Sequence, residues 1–467
     1  MEKVPQKLDK TRATYYKDAP IAKFGERKPP TTGMGRKIKS QFKSFREVVC
    51  VEACRTPYGV FGGALRGFDA PQLGALAIKE CIRRTNGKVK PEDVDYVILG
   101  QVVPAGCGQV PSRQATLLAG LPESVPSITI NKVCSSGIKP LDLATQMIQT
   151  GRAEIIIAGG QESMTNAPYS LPDMRWGSRM GLPNGRVVDL MVYDGLWDAF
   201  YNRHMAIHGS ETADEFGFTK EDQDEWAYLS QTRAVDAMKA GRLDAEIFPV
   251  EVKKGKDTIF FDKDERPRPG TTREGLAKLP PVFNHKSTVT GKPGSVSAGN
   301  APGVNDGGDV CLLMSAEMAK KLGMKPLFTI LDYAEVSQPT KDIATVPGLS
   351  IKKLLEQNNM TIDQVDLIEI NEAFAAVVLV SARSILGLSK EDMLKKVNVN
   401  GSAIAYGHPI GATGARIAMT LAYEALGERK EFFHVTWYLE PVVHNNEVLK
   451  GWYFRYKGIG KGGLQRT

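Results

Sequence analysis

The chain has 467 residues, 42% of them hydrophobic and 24% charged, with a formal net charge of +7; this suits a soluble protein of two or three domains and excludes a disordered or fibrous chain. The charge is not a nucleic-acid footprint, because it sits at the ends: residues 1–45 carry 12 Lys/Arg against 4 Asp/Glu and residues 430–467 carry 6 against 3, leaving the middle acidic. No apolar run approaches the ~18 residues of a membrane span and no apolar signal core opens the chain, so a cytoplasmic protein with neither a nucleic-acid nor a membrane partner is expected.

In chain order, residues 1–45 read as a basic, disordered extension broken by Lys28-Pro-Pro-Thr-Thr-Gly33. The six cysteines (50, 54, 81, 107, 134, 311) are scattered, as reduced thiols are. Cys50 and Cys54 lack the second pair of ligands that structural zinc needs. Residues 89–101 pass from a polar turn into a short apolar strand, and Ser127 to Asn131 form another strand ahead of Cys134. A helix follows, with Ile138, Leu141, Ala144, Met147 and Ile148 at helical spacing.

The stretch 166–300, rich in Gly, Pro, Met and aromatics, reads as an inserted substrate-facing domain, with a helix start at Thr219 and an acidic first turn from Asp222 to Glu225. His204 and His208 lie four apart, but the residues between them lack the Glu of H-E-x-x-H, so no metal site is expected. Residues 360–372 then repeat the pattern of 89–101. Lys396 to Asn400 repeat the second strand before a loop with His408, and Ile417, Leu421, Ala422 and Leu426 repeat the helix. Val94 to Asn131 spans 37 residues and Val365 to Asn400 spans 35, so two similar α/β halves are predicted.

Three segments carry candidate chemistry. Cys134, in Asn131-Lys-Val-Cys-Ser-Ser-Gly137, falls after a strand and before a helix, where unpaired N–H groups and the macrodipole stabilise a thiolate. Such a thiolate is a nucleophile for acyl transfer; the alternative is a small buried hydrophobe. His408, flanked by glycines in Asn400-Gly-Ser-Ala-Ile-Ala-Tyr-Gly-His-Pro-Ile-Gly-Ala-Thr-Gly414, is either a proton acceptor and oxyanion donor or a loop histidine bonded to backbone. Asn371, in Asn371-Glu-Ala-Phe-Ala375 at a strand end, either holds a water or oxyanion or caps a helix.

Together these segments resemble the thiolase family over about Glu47 to Arg429, with Arg55-Thr-Pro-Tyr-Gly-Val-Phe-Gly-Gly63, Ala158-Gly-Gly-Gln-Glu-Ser-Met164 and Ser297-Ala-Gly-Asn-Ala-Pro-Gly303 as further matches. The resemblance implies an α/β thiolase fold: duplicated halves in a five-layered α-β-α-β-α core with an inserted loop domain that binds coenzyme A. The first half would cover 46–165, completed by about 301–325, the loop domain 166–300, and the second half 326–429. It implies Cys134 as acyl acceptor, His408 as its histidine, and Asn371 as holder of an oxyanion-hole water. His204, Met205, Phe283 and Phe374 would line the pantetheine channel, with Ala298 and Gly299 as nearby backbone.

The activity implied is condensation of two acetyl-CoA to acetoacetyl-CoA, or thiolysis of 3-ketoacyl-CoA. Coenzyme A would be substrate and product, with no resident cofactor or metal, in a homodimer or homotetramer.

The resemblance stops at about Lys430. Thiolases carry a C-terminal Cys-x-Gly motif whose cysteine moves the α-proton, and no cysteine follows Cys311 here. Residues 430–467 are read as a shifted reading frame or a divergent replacement, and Pro302 replaces a Ser that contacts pantetheine in many relatives. A second reading follows, a degraded acyl-CoA-binding protein or partner subunit. A nucleotide-dependent dehydrogenase is disfavoured because no G-x-G-x-x-G follows the first strand.

Overall fold

The structure, a computed structural model, describes residues 46–176, 186–428, 432–437 and 451–456. The basic extension and most of the tail beyond 430 lie outside the described residues. No helix among those described is long and apolar enough to cross a membrane.

The first half builds from β1 (Val48–Arg55), β2 (Tyr96–Gly100), β3 (Ser127–Ile130), β4 (Ile155–Ser163) and β5 (Asn305–Ser315), with helices α1 (Ala70–Arg84), α2 (Pro111–Leu118) and α3 (Lys139–Gln149). Strand periodicity divides its core in two. In β1, Val48, Cys50 and Ala53 face one buried cluster and Val49, Val51 and Cys54 the other; in β4, Ile156 and Ala158 oppose Ile155 and Ile157. A strand buried on both faces needs a helical layer on each side. Accordingly α1 packs on one face, against β1, β4 and β5, and α3 on the other.

The inserted stretch contributes α4 (Met205–Glu215) and α5 (Lys220–Lys239), and β5 then returns to pair with both β1 and β4. The expected start of α5 is present as a capping box: Thr219 accepts from the Asp222 N–H and the Asp222 carboxylate accepts from the Thr219 N–H.

The second half follows with β6 (Phe328–Ala334), α6 (Val346–Gln357), β7 (Leu367–Ile370), α7 (Thr413–Glu428), β8 (Phe432–Trp437) and β9 (Gly451–Tyr456). The sheet runs β7-β8-β9-β6-β1-β5-β4-β2-β3. The two half-sheets are therefore continuous, joined where β1 pairs with β6 over Val48 to Cys50. α7 touches β1, β4 and β5 of one half and β7 and β8 of the other, which makes it the shared central layer, while α6 covers β6, β8 and β9.

The repeat reappears in the pairing. Val97 faces Ser127 in a parallel ladder, and Ile368, its counterpart, faces Val397 in a parallel bridge. Here the structure corrects one expectation: Lys396 to Asn400 do not form a strand. A helix ends at Lys396, and Asn398 turns into the left-handed region at φ 49°. Its side-chain amide then replaces the ladder, accepting from the Ile370 N–H and donating to the Ile370 carbonyl, both at 2.8 Å. Asn is among the few residues that tolerate this backbone.

A buried ionic group ties the inserted stretch to this frame. Arg55 bonds Glu246 at 2.7 Å and Asp264 at 2.8 and 2.9 Å, and Tyr58 donates to Asp309. Burial pushes the Asp309 carboxyl up to about 7, and that of Glu369, beside Arg416, up to about 8. Acids raised in the folded state hold protons that the unfolded chain has lost. Their contribution to stability is therefore full at low pH and falls between about pH 4 and about pH 8. Melting temperature is expected to be lower at about pH 8.5 than at about pH 6, with Glu369→Gln flattening the decline. An unaltered slope in that variant would clear Glu369 as a contributor.

Candidate active site

Cys134 emerges from β3 through a strained turn. Val133, a β-branched residue, sits at φ 45°, held by the Asn131 side chain accepting from its N–H at 3.1 Å. Lys132 N–H donates to Ser136 Oγ at 2.7 Å and closes the turn. Cys134 does not start an α-helix directly, as the sequence suggested. A 3₁₀ turn over Ser135–Gly137 intervenes before α3, with the Ser135 and Ser136 N–H groups donating to the Lys132 and Val133 carbonyls. Local bonds thus occupy donors that were expected to face the thiol.

His408 is brought to the same region by close backbone approach. A Cβ on Gly137 would run into the Ala412 carbonyl, and one on Gly414 into the Ile138 N–H, so the starts of the two central helices touch backbone to backbone. A Cβ on Gly160 would likewise strike the Gly411 carbonyl, and one on Gly159 the Asp309 carbonyl of β5, so both glycines of the Ala158 to Met164 segment sit at close backbone approaches.

The ring of His408 is 5% exposed, with Thr413 and Asn371 beside it. Thr413 donates its hydroxyl to the Pro409 carbonyl at 2.9 Å, so its oxygen is left to accept from His408 Nδ1–H, also at 2.9 Å. That assigns the proton to Nδ1 and the lone pair to Nε2, which lies 3.3 Å from Asn371 Nδ2. Burial, with Arg416 nearby, pushes the His408 pKa down to about 3, so the ring is neutral at physiological pH.

Asn371 follows β7 and does not cap the next helix; Phe374 holds that position. Its buried Oδ1 has no hydrogen-bond partner among the described residues, an acceptor open to a water or a substrate group.

The channel candidates lie around α4. His204 caps it, accepting the Ala206 N–H at 3.1 Å, and its ring stands 4.7 Å from that of Phe283. Burial holds its pKa down to about 4. His208 is committed elsewhere, to Asp198 and Arg203, both at 2.8 Å, so the two rings serve separate partners. Met205 and Phe374 are buried in the cluster that contains Cys134, and the Phe374 ring stands against Gly209, where a Cβ would meet it at 2.9 Å. The Ala298–Gly299 turn is drawn in by Asn300, whose carbonyl accepts the Ala375 N–H at 3.0 Å; Ala298 is exposed and Gly299 half-buried.

Residues 48–317 match the family model for the thiolase N-terminal domain, and 324–436 match that for the C-terminal domain. The chain belongs to the thiolase family. This thiolase is 47% identical to the acetyl-CoA acetyltransferase of Syntrophomonas wolfei over 379 residues, covering 81% of the chain and 92% of that protein. It is also 47% identical to that of Pseudomonas aeruginosa over 382 residues, 82% of the chain and 93% of the relative. The crystal structure of the Bacillus anthracis acetyl-CoA acetyltransferase superposes with a TM-score of 0.81 at 37% identity, covering 88% of this chain and 99% of the other. The fold is the expected thiolase fold, and the function is that of a thiolase acyltransferase. The degraded binding protein is not favoured.

Two residues of this thiolase escaped the sequence reading. Thr413 lies inside the quoted histidine loop, yet spacing alone says nothing of its hold on Nδ1. Glu162, fully buried, accepts the Val102 N–H at 2.8 Å, the Val103 N–H at 3.3 Å and the Gly411 N–H, and so bridges the strand ends of one half to the histidine loop of the other. A buried carboxylate in an apolar strand was the available signal.

Proposed function

We propose that Cys134, His408 and Asn371 carry the acyl transfer. His408 Nε2 takes the proton from Cys134 Sγ, and the thiolate attacks the carbonyl of an acyl-CoA. The tetrahedral oxyanion collapses, leaving a thioester on Cys134, and the departing CoA thiolate recovers the proton from the imidazolium. In the second stage the α-carbon of acetyl-CoA, having lost a proton, attacks this thioester. The new carbon–carbon bond yields acetoacetyl-CoA, and Cys134 leaves as a thiolate that takes up the proton lost from the α-carbon; the reverse is thiolysis of a 3-ketoacyl-CoA.

The observation that best supports this reading is the neutral His408 ring with its lone pair fixed on Nε2 by Thr413. Both stages build charge on oxygen, where oriented donors contribute most. His204, Met205, Phe283 and Phe374 are proposed to line the pantetheine channel beside Ala298 and Gly299. Coenzyme A enters as substrate and product. Assembly as a homodimer or homotetramer in the cytoplasm belongs to the same proposal, by likeness to the family.

No cysteine follows Cys311 in this sequence, so no counterpart of the family's C-terminal cysteine is assigned to the α-proton here. The two stages are therefore tested separately, by intact mass after incubation with acetyl-CoA and by thiolysis of acetoacetyl-CoA. An acetyl adduct at Cys134 is expected. No adduct would sink the assignment; an adduct without thiolysis would confine the activity to the first stage.

A further inference from the structure

Glu372 follows Asn371, yet it carries no role in the steps above. Its carboxylate is fully buried and takes two donors on each oxygen. Oε1 accepts from Trp226 Nε1 at 3.0 Å and Asn398 Nδ2 at 3.1 Å; Oε2 accepts from Ser230 Oγ at 2.7 Å and the Ile404 N–H at 2.9 Å. These donors come from three places. Trp226 and Ser230 stand on α5 of the inserted stretch, Asn398 belongs to the loop that pairs with β7, and Ile404 lies on the segment leading to His408.

Few side chains could fill this position. Four converging donors require four lone-pair sites, which an ionised carboxylate offers and an amide does not. Asn398 cannot adapt by turning its amide over, because its other contacts, to the Ile370 N–H and carbonyl, fix which end is which. Ser230 Oγ in turn accepts the Ser402 N–H at 3.3 Å, adding a second tie to the histidine segment.

We infer that Glu372 is a positioning residue that clamps α5 of the inserted domain to both the Asn371 strand end and the His408 segment, so one carboxylate sets how the CoA-bearing domain sits and how Asn371 meets His408. The inference rests on the acyl-transfer reading of Cys134, His408 and Asn371. The Asn371 to His408 contact, at 3.3 Å, is at the long end for a hydrogen bond, so a small displacement of the strand end breaks it. Misplacing a catalytic group by about 1 Å costs on the order of 10²-fold in rate.

The test compares wild type, Glu372→Gln and Ser230→Ala as full-length proteins. Cys134 acetylation by acetyl-CoA is followed in single turnover by intact mass, with KM and thermal unfolding measured alongside. Glu372→Gln is expected to acetylate on the order of 10²-fold more slowly at saturating acetyl-CoA. Ser230→Ala, which removes one donor and little volume, is expected to lose about tenfold. KM is free to rise as the inserted helix shifts, but the slower acetylation at saturating acetyl-CoA is what separates positioning from binding alone. Should Glu372→Gln fail to fold, Ser230→Ala decides. A stable Ser230→Ala protein that acetylates at the wild-type rate, or losses expressed wholly as raised KM, would overturn the positioning role. Wild-type protein without an adduct at Cys134 would instead overturn the acyl-transfer reading, and the inference with it.

Discussion

Cys134→Ala is expected to lower kcat for acyl transfer by roughly 10⁶-fold, the scale on which removing a covalent nucleophile acts. The variant forfeits the whole two-stage path, because no acyl group is stored between the arrival of the first CoA ester and the second. It should still fold. The side chain is 1% exposed within a large apolar cluster, and trimming one sulfur leaves a void costing about 1 kcal/mol. KM for acetyl-CoA should stay near the wild-type value, since the proposed channel residues lie on other elements. Measurement of thiolysis, intact mass and melting temperature on one preparation separates loss of chemistry from loss of fold. Retention of an acetyl adduct with measurable turnover would move the nucleophile elsewhere. Cys107 would then be the next residue to replace, as the one cysteine not fully buried.

That expectation could be framed from the sequence because the cysteine, the histidine and the asparagine each close a repeated pattern. The pairs Val94 and Asn131, Val365 and Asn400 mark equivalent segments of the repeat, and a strand end in an α/β fold is where a ligand site forms. Local pattern was also enough for the helix at Lys220–Lys239, since Thr219 and Asp222 satisfy each other within four residues. It failed where a side chain does the work of a backbone. Val-Asn-Val-Asn alternates like a strand, yet Asn398 leaves the sheet and pairs with Ile370 through its amide, an exchange with no period to detect. Cys134 shows a subtler miss. Strand-then-helix was visible, but the 3₁₀ turn and the left-handed Val133 between them depend on Asn131 and Ser136 reaching back to the chain. Glu372 and Thr413 stood in view beside the named residues. What they hold, a helix of the inserted stretch and the tautomer of a ring, exists only once distant segments have met.

His408→Asn is expected to slow acetylation of Cys134 by roughly 10² to 10⁴-fold, the range of a lost general base. The shape of the pH dependence distinguishes a buried neutral base from an ordinary histidine. A solvent-exposed imidazole would take up a proton near pH ~6.5 and produce an acid limb there. Burial and Arg416 hold the His408 pKa down to about 3, so Nε2 keeps its lone pair, and acetylation should show no histidine limb down to about pH 4. Thr413→Val refines the test. It leaves the ring in place but removes the oxygen that accepts Nδ1–H at 2.9 Å, so the proton is free to move to Nε2, the face turned toward Asn371. A histidine with its proton on the wrong nitrogen cannot accept from a thiol. A loss of about 10 to 10²-fold with little change in KM is expected. An acid limb near pH ~6.5 in the wild type, absent from His408→Asn, would mean that the ring exchanges protons with solvent like an exposed imidazole. Full activity in Thr413→Val would mean that the tautomer is set by something other than this hydroxyl.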